Sequence, residues 1–278
     1  MKRFKNNRFS IMLVLTSFLA TLGYSILIYP SVAGMLSEDK GSDATEDYQN
    51  YYESLSEQEN EQEKEEAIAY NEKLFKAQKK EPYHYQGAEA TDEEYENILK
   101  DNGVLCLLEI PSINLYLTVS HGTGDREMQY EAGHFYGTSL PVGGENTHAG
   151  IAAHSALSSA SLFTDLEKVE KGDFFYIHVL NEIHTYQVDQ ILTVLPEEAD
   201  EHLQIVEGKD MITLYTCTPY GINSHRLLVR GNRVMEDEDT DETVTLKSED
   251  SAQNNRLGMA FLLAAGPFLI SYLYEKRR

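Results

Sequence analysis

A thiol and a guanidinium that chain geometry could bring face to face lie in Ile212-Thr-Leu-Tyr-Thr-Cys217-Thr-Pro-Tyr-Gly-Ile-Asn-Ser-His-Arg226-Leu-Leu-Val-Arg-Gly231. The thiolate is the nucleophilic form of cysteine, and a nearby cation favours that form or holds a developing oxyanion. Residues 212–216 alternate apolar and polar side chains with β-branched enrichment, the pattern of a half-buried strand. Pro219, Gly221 and Asn223 supply turn chemistry, and Arg226-Leu-Leu-Val-Arg230 resumes an extended run. Cys217 therefore ends one strand, and Arg226 opens the strand that returns beside it. The ordinary role of an isolated cysteine is an inert core thiol. Cys106, inside the continuous apolar run Val104-Leu-Cys-Leu-Leu-Glu-Ile110, is read that way. These are the only two cysteines, too few for a disulfide framework. Pairing them would disable the nucleophile, so both are expected reduced.

The string Thr216-Cys217-Thr218-Pro219-Tyr220-Gly221, with His225-Arg226 following, closely resembles the active-site segment of sortases, above all the class C, pilus-assembling branch. The resemblance implies that Cys217 is the nucleophile and that Arg226 stabilises the oxyanion or orients the substrate carbonyl. His148-Ala-Gly-Ile-Ala-Ala-His154 resembles the family segment that ends in the catalytic histidine. Leu162-Phe-Thr-Asp-Leu166 and Lys171-Gly172-Asp173 follow as in class C. His154 is thereby implied as the general acid, protonating the leaving amine and later deprotonating the incoming one. Many relatives carry Arg-Gly after that histidine; here Ser155-Ala156 stand there. His121, His134 and His148 also lie in family-like segments and are read as supports for loops and the groove wall. His225 alternates away from Arg226 along its strand and should face away from the site. His84, His178, His184 and His202 are read as packing or surface residues.

Ahead of these segments, residues 67–80 read as a helix with Ile68, Leu74 and Phe75 apolar, broken by Pro82 and Gly87. Thr91-Asp-Glu-Glu94 is a capping box for a second short helix carrying Tyr95, Ile98 and Leu99. Class C sortases carry a lid loop here, marked by Asp-Pro and an aromatic. Glu81-Pro82-Tyr83 falls in the corresponding place, after Tyr70-Asn71 and before Gly103-Val104, with Glu for Asp. Two closures are open to it: an ionic latch from Glu81 to Arg226, or packing of Tyr83 over Cys217. An ordinary surface turn is the alternative.

From residue 104 onward the chain is β-rich: 104–110, 115–120, 150–153, 174–179, 185–194, 211–217 and 226–230, with one helix over 158–169. The expected fold is mainly β. The resemblance, which covers roughly 67–235, names it as the sortase-type β-barrel with short peripheral helices and an N-terminal helical and lid extension.

Both ends are apolar. Residues 9–37 carry no charge and follow Lys2, Arg3, Lys5 and Arg8; residues 257–274 carry none and precede Glu275-Lys276-Arg277-Arg278. Each approaches the roughly 20 residues that span a bilayer. The basic flanks place both termini in the cytoplasm and residues 38–255 outside the cell membrane. A cleaved signal peptide ending near Ser31-Val32-Ala33-Gly34 is the rival reading of the first stretch. The expected organisation is thus an anchor over 1–37, an acidic linker over 38–66, a helical extension with lid over 67–103, the catalytic barrel over 104–235, a second acidic linker over 236–255, and a C-terminal span with basic tail over 256–278.

The formal net charge is −23, from 46 acidic and 23 basic residues, which argues against nucleic acid as a partner. Residues 38–66 hold 12 acidic side chains against two Lys, and 236–250 hold eight against one. Such runs read as self-repelling spacers, with an acidic surface for basic pilin subunits as the alternative.

The resemblance implies a cysteine transpeptidase that cleaves a C-terminal Leu-Pro-x-Thr-Gly-like sorting signal through a thioester and joins it to a pilin lysine. Its partners would be pilin or surface-protein substrates, themselves held at the membrane. No cofactor is implied, and no zinc or calcium spacing is recognisable. Attachment of surface proteins to cell-wall peptidoglycan is the alternative within the class. A non-catalytic, membrane-anchored assembly factor is the alternative outside it.

Overall fold

The computed structural model describes residues 12–29, 48–99, 103–124, 127–155 and 162–234, apart from Leu13, Gln49 and Glu53. Among them the strands are β1 (Val104–Ile110), β2 (Leu115–His121), β3 (Ala132–His134), β4 (Thr147–Ala152), β5 (Phe174–Val179), β6 (Glu182–Val194), β7 (Asp210–Thr218) and β8 (His225–Arg233). They close a barrel in the order β1-β2-β3-β4-β7-β8-β6-β5. The pairings β2–β3 and β4–β7 are parallel and the rest antiparallel, with β5 returning to β1.

The strands expected at 104–110 and 174–179 have those bounds, and the others run one to a few residues further or start earlier. β3 was not expected. Ala-Gly-His has neither alternation nor β-branched residues, and its place comes from pairing in register with β2 (Val119↔Ala132) and β4 (Gly133↔Ala152). The helix expected over 158–169 is, in its described part, a 3-10 helix (Leu162–Lys168). Phe163, Leu166 and Val169 are buried and recur every three residues, the period of the tighter helix.

Helix α1 covers residues 14–29 and belongs to a unit separate from the barrel. Its apolar side chains, among them Leu15, Phe18, Leu19, Leu22 and Ile26, are exposed. Among the described residues no helix is long and apolar enough to cross a membrane. Residues 9–11 and 30–37 of the first expected span lie outside the described residues, as do the second span and the acidic segment before it.

The helix expected from residue 67 begins earlier, at Glu57, and runs to Gln78 as α2. Its glutamate-rich first half has no apolar period to betray it, but Ser56 and Glu59 form a reciprocal capping box that starts it. Tyr48 and Tyr52, also within the stretch read as a solvated linker, are buried against Val104 and Leu107 of β1. That cover explains why β1 reads as a continuous apolar run and not an alternating one. Further along α2, Asn71 pairs with the backbone of Leu140 in both directions: its Nδ2 donates to the carbonyl (3.0 Å) and its Oδ1 accepts from the N–H (2.7 Å). The short helix α3 (Glu93–Asn97) is capped by Asp92, whose carboxylate accepts from the N–H of Tyr95 at 2.8 Å. The sequence had suggested Thr91 for that role; its hydroxyl instead reaches Glu96.

Two barrel-wall histidines are buried as neutral rings. His134 Nε2–H donates to the Ser139 carbonyl (2.8 Å), and Nδ1 accepts from the Tyr95 hydroxyl (2.8 Å). His148 Nδ1–H donates to the Gln204 carbonyl (2.8 Å), and Nε2 accepts from the Thr213 hydroxyl (2.8 Å). Burial lowers each pKa from 6.5 to about 4, because the charged ring would lose its water. Between these values the unfolded chain binds more protons than the folded one, so stability present above pH 6.5 is lost as pH falls toward 4. The difference amounts to roughly 3 kcal/mol for each ring. Calorimetric unfolding at pH 7 and 4.5 should show this fall, and His148→Gln should flatten the slope even though it lowers stability at pH 7. An unchanged slope would mean that His148 does not titrate on unfolding.

Candidate active site

Cys217 and Arg226 are direct partners across the β7–β8 ladder. The hairpin that joins them turns through Pro219, whose carbonyl accepts from the N–H groups of both Ile222 and Asn223. Asn223 adopts φ +59°, a left-handed conformation that asparagine tolerates. The expected strand–turn–strand is therefore present, with thiol and guanidinium at its open end.

His154 reaches the same place from a distant part of the chain. β4 and β7 pair in parallel as far as Ala152↔Tyr215, and both run toward the site. Past that point backbone and hydroxyl groups continue the seam. The Ala153 N–H donates to the Tyr215 carbonyl (3.2 Å), and the Thr216 hydroxyl donates to the Ala153 carbonyl (2.7 Å). The Ser155 hydroxyl donates to the Cys217 carbonyl (2.6 Å), while the His154 carbonyl accepts from the N–H of Phe163 (3.0 Å). The residues on either side of His154 are thus fastened to Tyr215, Thr216 and Cys217. The hydroxyl of Ser155 is one of these fasteners.

His154, Cys217 and Arg226 line one cavity of about 390 Å³. Its wall includes Tyr215, two residues before Cys217 and so on the same strand face. The hydroxyl of Tyr215 accepts from Arg226 Nε at 2.9 Å, and Nη1 of Arg226 donates to the carbonyls of Asn223 and His225, both at 3.1 Å. Nη2 has no hydrogen bond to a described residue, and none of the described carboxylates pairs with Arg226. The guanidinium is held in orientation by neutral groups and keeps both its charge and a spare donor. Tyr215 was not singled out from the sequence, although its i−2 offset from Cys217 was the available signal. Burial is the main cause raising its pKa.

Gly150 of β4 supports the wall, because a Cβ there would come within 2.8 Å of the Phe135 ring. Phe135 then meets Tyr215 and Tyr85 edge-on, with centroids at 5.0 and 5.6 Å. The small-residue strand before His154 therefore lets the Phe135 side chain approach closely.

Of Glu81, Pro82 and Tyr83, only the aromatic enters the site, where Tyr85 of the same loop joins it in the lining. Tyr83 is 4% exposed, lines the cavity and packs on Phe135, Ala152 and Leu203. Glu81 and Pro82 are exposed and form no part of the cavity lining. The ionic latch from Glu81 to Arg226 is not formed; every described partner of Arg226 is neutral. An ordinary surface turn is not seen either, since Tyr83 is buried.

His121 and His134 bind loop carbonyls and Tyr95 away from the cavity, and His225 turns aside to the Ser224 hydroxyl (2.9 Å). His184 is buried against Glu182. Cys106 is fully buried and Cys217 partly so, and both are free; burial pushes the Cys106 thiol far up. Among the described residues no cluster of three His, Cys, Asp or Glu side chains converges as a metal site requires.

A sortase domain family model matches residues 108–234. The structure of sortase C from Streptococcus pneumoniae is 41% identical, with a TM-score of 0.64 over 70% of this chain and 97% of that one. The chain belongs to the sortase family. Sortase C1 from Streptococcus agalactiae is likewise 41% identical, at TM-score 0.64 over 70% of this sortase and 100% of that chain. A lid-mutant of the same S. agalactiae enzyme is 39% identical at TM-score 0.64, over 70% and 99%. Sortase A from S. agalactiae is 32% identical over 118 residues, which is 40% of this chain and 45% of that protein. The chain thus spans about half the length of that curated relative.

If the hydroxyl seam positions His154, its removal should be felt. Thr216 is 3% exposed, so Thr216→Val leaves the Ala153 carbonyl without its partner in a buried place. The expected cost is about 1–3 kcal/mol in urea unfolding followed by circular dichroism, with little change for Thr216→Ser.

Proposed function

We propose that this sortase is a cysteine transpeptidase acting on C-terminal Leu-Pro-x-Thr-Gly-like sorting signals. The observation that carries the reading is the placement of Cys217 opposite Arg226 in one cavity with His154. Cys217 attacks the carbonyl of the Thr-Gly bond, and the spare donor of Arg226 holds the oxyanion that forms. His154 protonates the departing amine, leaving a thioester, and then takes a proton from the amine that resolves it. A lysine of another pilin is the acceptor that fits best. Its support is likeness to sortase C enzymes, one of which is described with its pilin substrate specificity.

The segment 81–85 acts as a lid held by its aromatic ring, with Glu81 uninvolved. The Tyr83 hydroxyl is buried with no partner among the described residues, which weakens the closed position. The sortase sits in the cell membrane with both termini cytoplasmic and residues 38–255 outside. The uncharged stretches 9–37 and 257–274, their basic flanks and the exposed apolar side chains of α1 support that placement.

Incubation with a Leu-Pro-x-Thr-Gly peptide and hydroxylamine should give the hydroxamate and a transient acyl-enzyme by mass spectrometry. Cys217→Ala should abolish both, and Arg226→Ala should lower kcat by roughly 10²–10³. Hydroxamate formed without Cys217 would defeat the assignment. For the lid, methanethiosulfonate labelling of Cys217 should quicken about tenfold in Tyr83→Ala and slow in Tyr83→Phe, whose ring carries no unpaired hydroxyl. Equal rates in all three proteins would return the segment to an ordinary loop.

A further inference from the structure

Between β6 and β7 a 3-10 helix (Pro196–Leu203) presents Asp200 and, just beyond it, Gln204 to the segment that carries Tyr83. The Gln204 side chain engages both backbone groups of Tyr83: Oε1 accepts from its N–H at 2.8 Å, and Nε2 donates to its carbonyl at 2.9 Å. The second proton of Nε2 goes to the Asp200 carbonyl at 2.7 Å. The Asp200 carboxylate accepts from the N–H of Tyr85 at 3.0 Å. Residues 83 and 85 are thus held at alternate positions, as a neighbouring strand would hold them, by two side chains four residues apart. Gln204 is itself fixed, because its own carbonyl accepts from buried His148 at 2.8 Å. Nothing in these contacts reads the side chain of Tyr83; they read a peptide backbone.

Resting on the transpeptidase reading above, we infer that Gln204, with Asp200 beside it, is a binding subsite for the backbone of the extended peptide substrate, occupied by the lid until substrate displaces it. The lid and the sorting signal share a feature that sets the register. In Glu81-Pro82-Tyr83 and in Leu-Pro-x alike, proline offers no N–H, so the next donor along the chain is the residue that follows it, and aligning the two prolines aligns those residues. The residue at x therefore takes the place of Tyr83 on the Gln204 amide. Its side chain is not read there, consistent with a motif that leaves that position open. Leaving the lid costs Gln204 no permanent loss, because the incoming peptide restores both hydrogen bonds.

The test separates holding the lid from binding the substrate. In the full-length protein, Gln204→Ala should quicken methanethiosulfonate labelling of Cys217 about tenfold, since two hydrogen bonds to the lid are lost. With the chemistry silenced by Cys217→Ala and the lid ring removed by Tyr83→Ala, calorimetry then measures Kd for a Leu-Pro-x-Thr-Gly peptide. Adding Gln204→Ala to that background should raise Kd about tenfold. A depsipeptide with an ester in place of the N–H of x should bind about fivefold more weakly when Gln204 is present and no more weakly when it is alanine. Circular dichroism melting of each variant excludes unfolding, and Gln204→Glu, which keeps the acceptor and loses the donor, should fall between. Equal Kd with and without Gln204 would overturn the subsite while leaving the transpeptidase reading intact. A peptide that neither binds nor is cleaved by any variant would overturn both.

Discussion

The parallel pairing of β4 with β7 is the constraint on which the site depends. Two parallel neighbours end at the same edge of a barrel, so the residues just past β4 lie beside those that finish β7. No local turn could do this for His154 and Cys217, which belong to distant parts of the chain. β8, antiparallel to β7, begins where β7 ends and adds Arg226 to the same edge. The ladder alone would leave His154 two residues beyond its last pair. The hydroxyls of Thr216 and Ser155 carry the fastening across that gap, one on the carbonyl before His154 and one on the carbonyl of Cys217. The backbones that carry His154 and Cys217 are therefore set side by side by two strands and two hydroxyls.

The electrostatics of the cavity follow from which groups are kept out. The protein carries a net charge of −23, yet Arg226 is oriented by a phenol and two carbonyls. A carboxylate in their place would fix the guanidinium equally well and cancel the charge that an oxyanion needs. The exposed position of Glu81 fits that requirement. Tyr83, Phe135 and Tyr215 give the cavity an apolar, aromatic wall, and in such low-dielectric surroundings Arg226 would attract the oxyanion proposed above more strongly than in open water.

Much of this was legible in the sequence because the signals were local. The hairpin from Ile212 to Gly231 announced itself through alternation and turn residues, and it alone set Cys217 against Arg226. His154 was legible only through resemblance, since no periodicity links β4 to β7. What stayed hidden were contacts whose partners are far apart in sequence and chemically ordinary. Gln204 has no distinguishing neighbour, and its role exists only because the Tyr83 segment folds back onto it. β3 owes its strand conformation to β2 and β4, and the first half of α2 is helical through its cap and tertiary contacts without an apolar stripe. The Glu81 latch misled for the converse reason: the sequence offered complementary charges, but Tyr83 has the cavity and leaves Glu81 outside.

One device appears twice, with opposite consequences. Asn71 grips the backbone of Leu140 as Gln204 grips that of Tyr83, amide to N–H and carbonyl together. Asn71 and Leu140 are themselves buried, so opening that joint would take four polar groups out of their hydrogen bonds where little water reaches. Gln204 is only partly buried and adjoins Asp200, Leu203 and Tyr83 of the cavity lining, where water or the peptide proposed above can satisfy whatever the loop releases. The free energy of a hydrogen bond in a protein is set by what replaces it when it breaks. The same geometry therefore welds α2 to the barrel at one place and makes a reversible catch at the other.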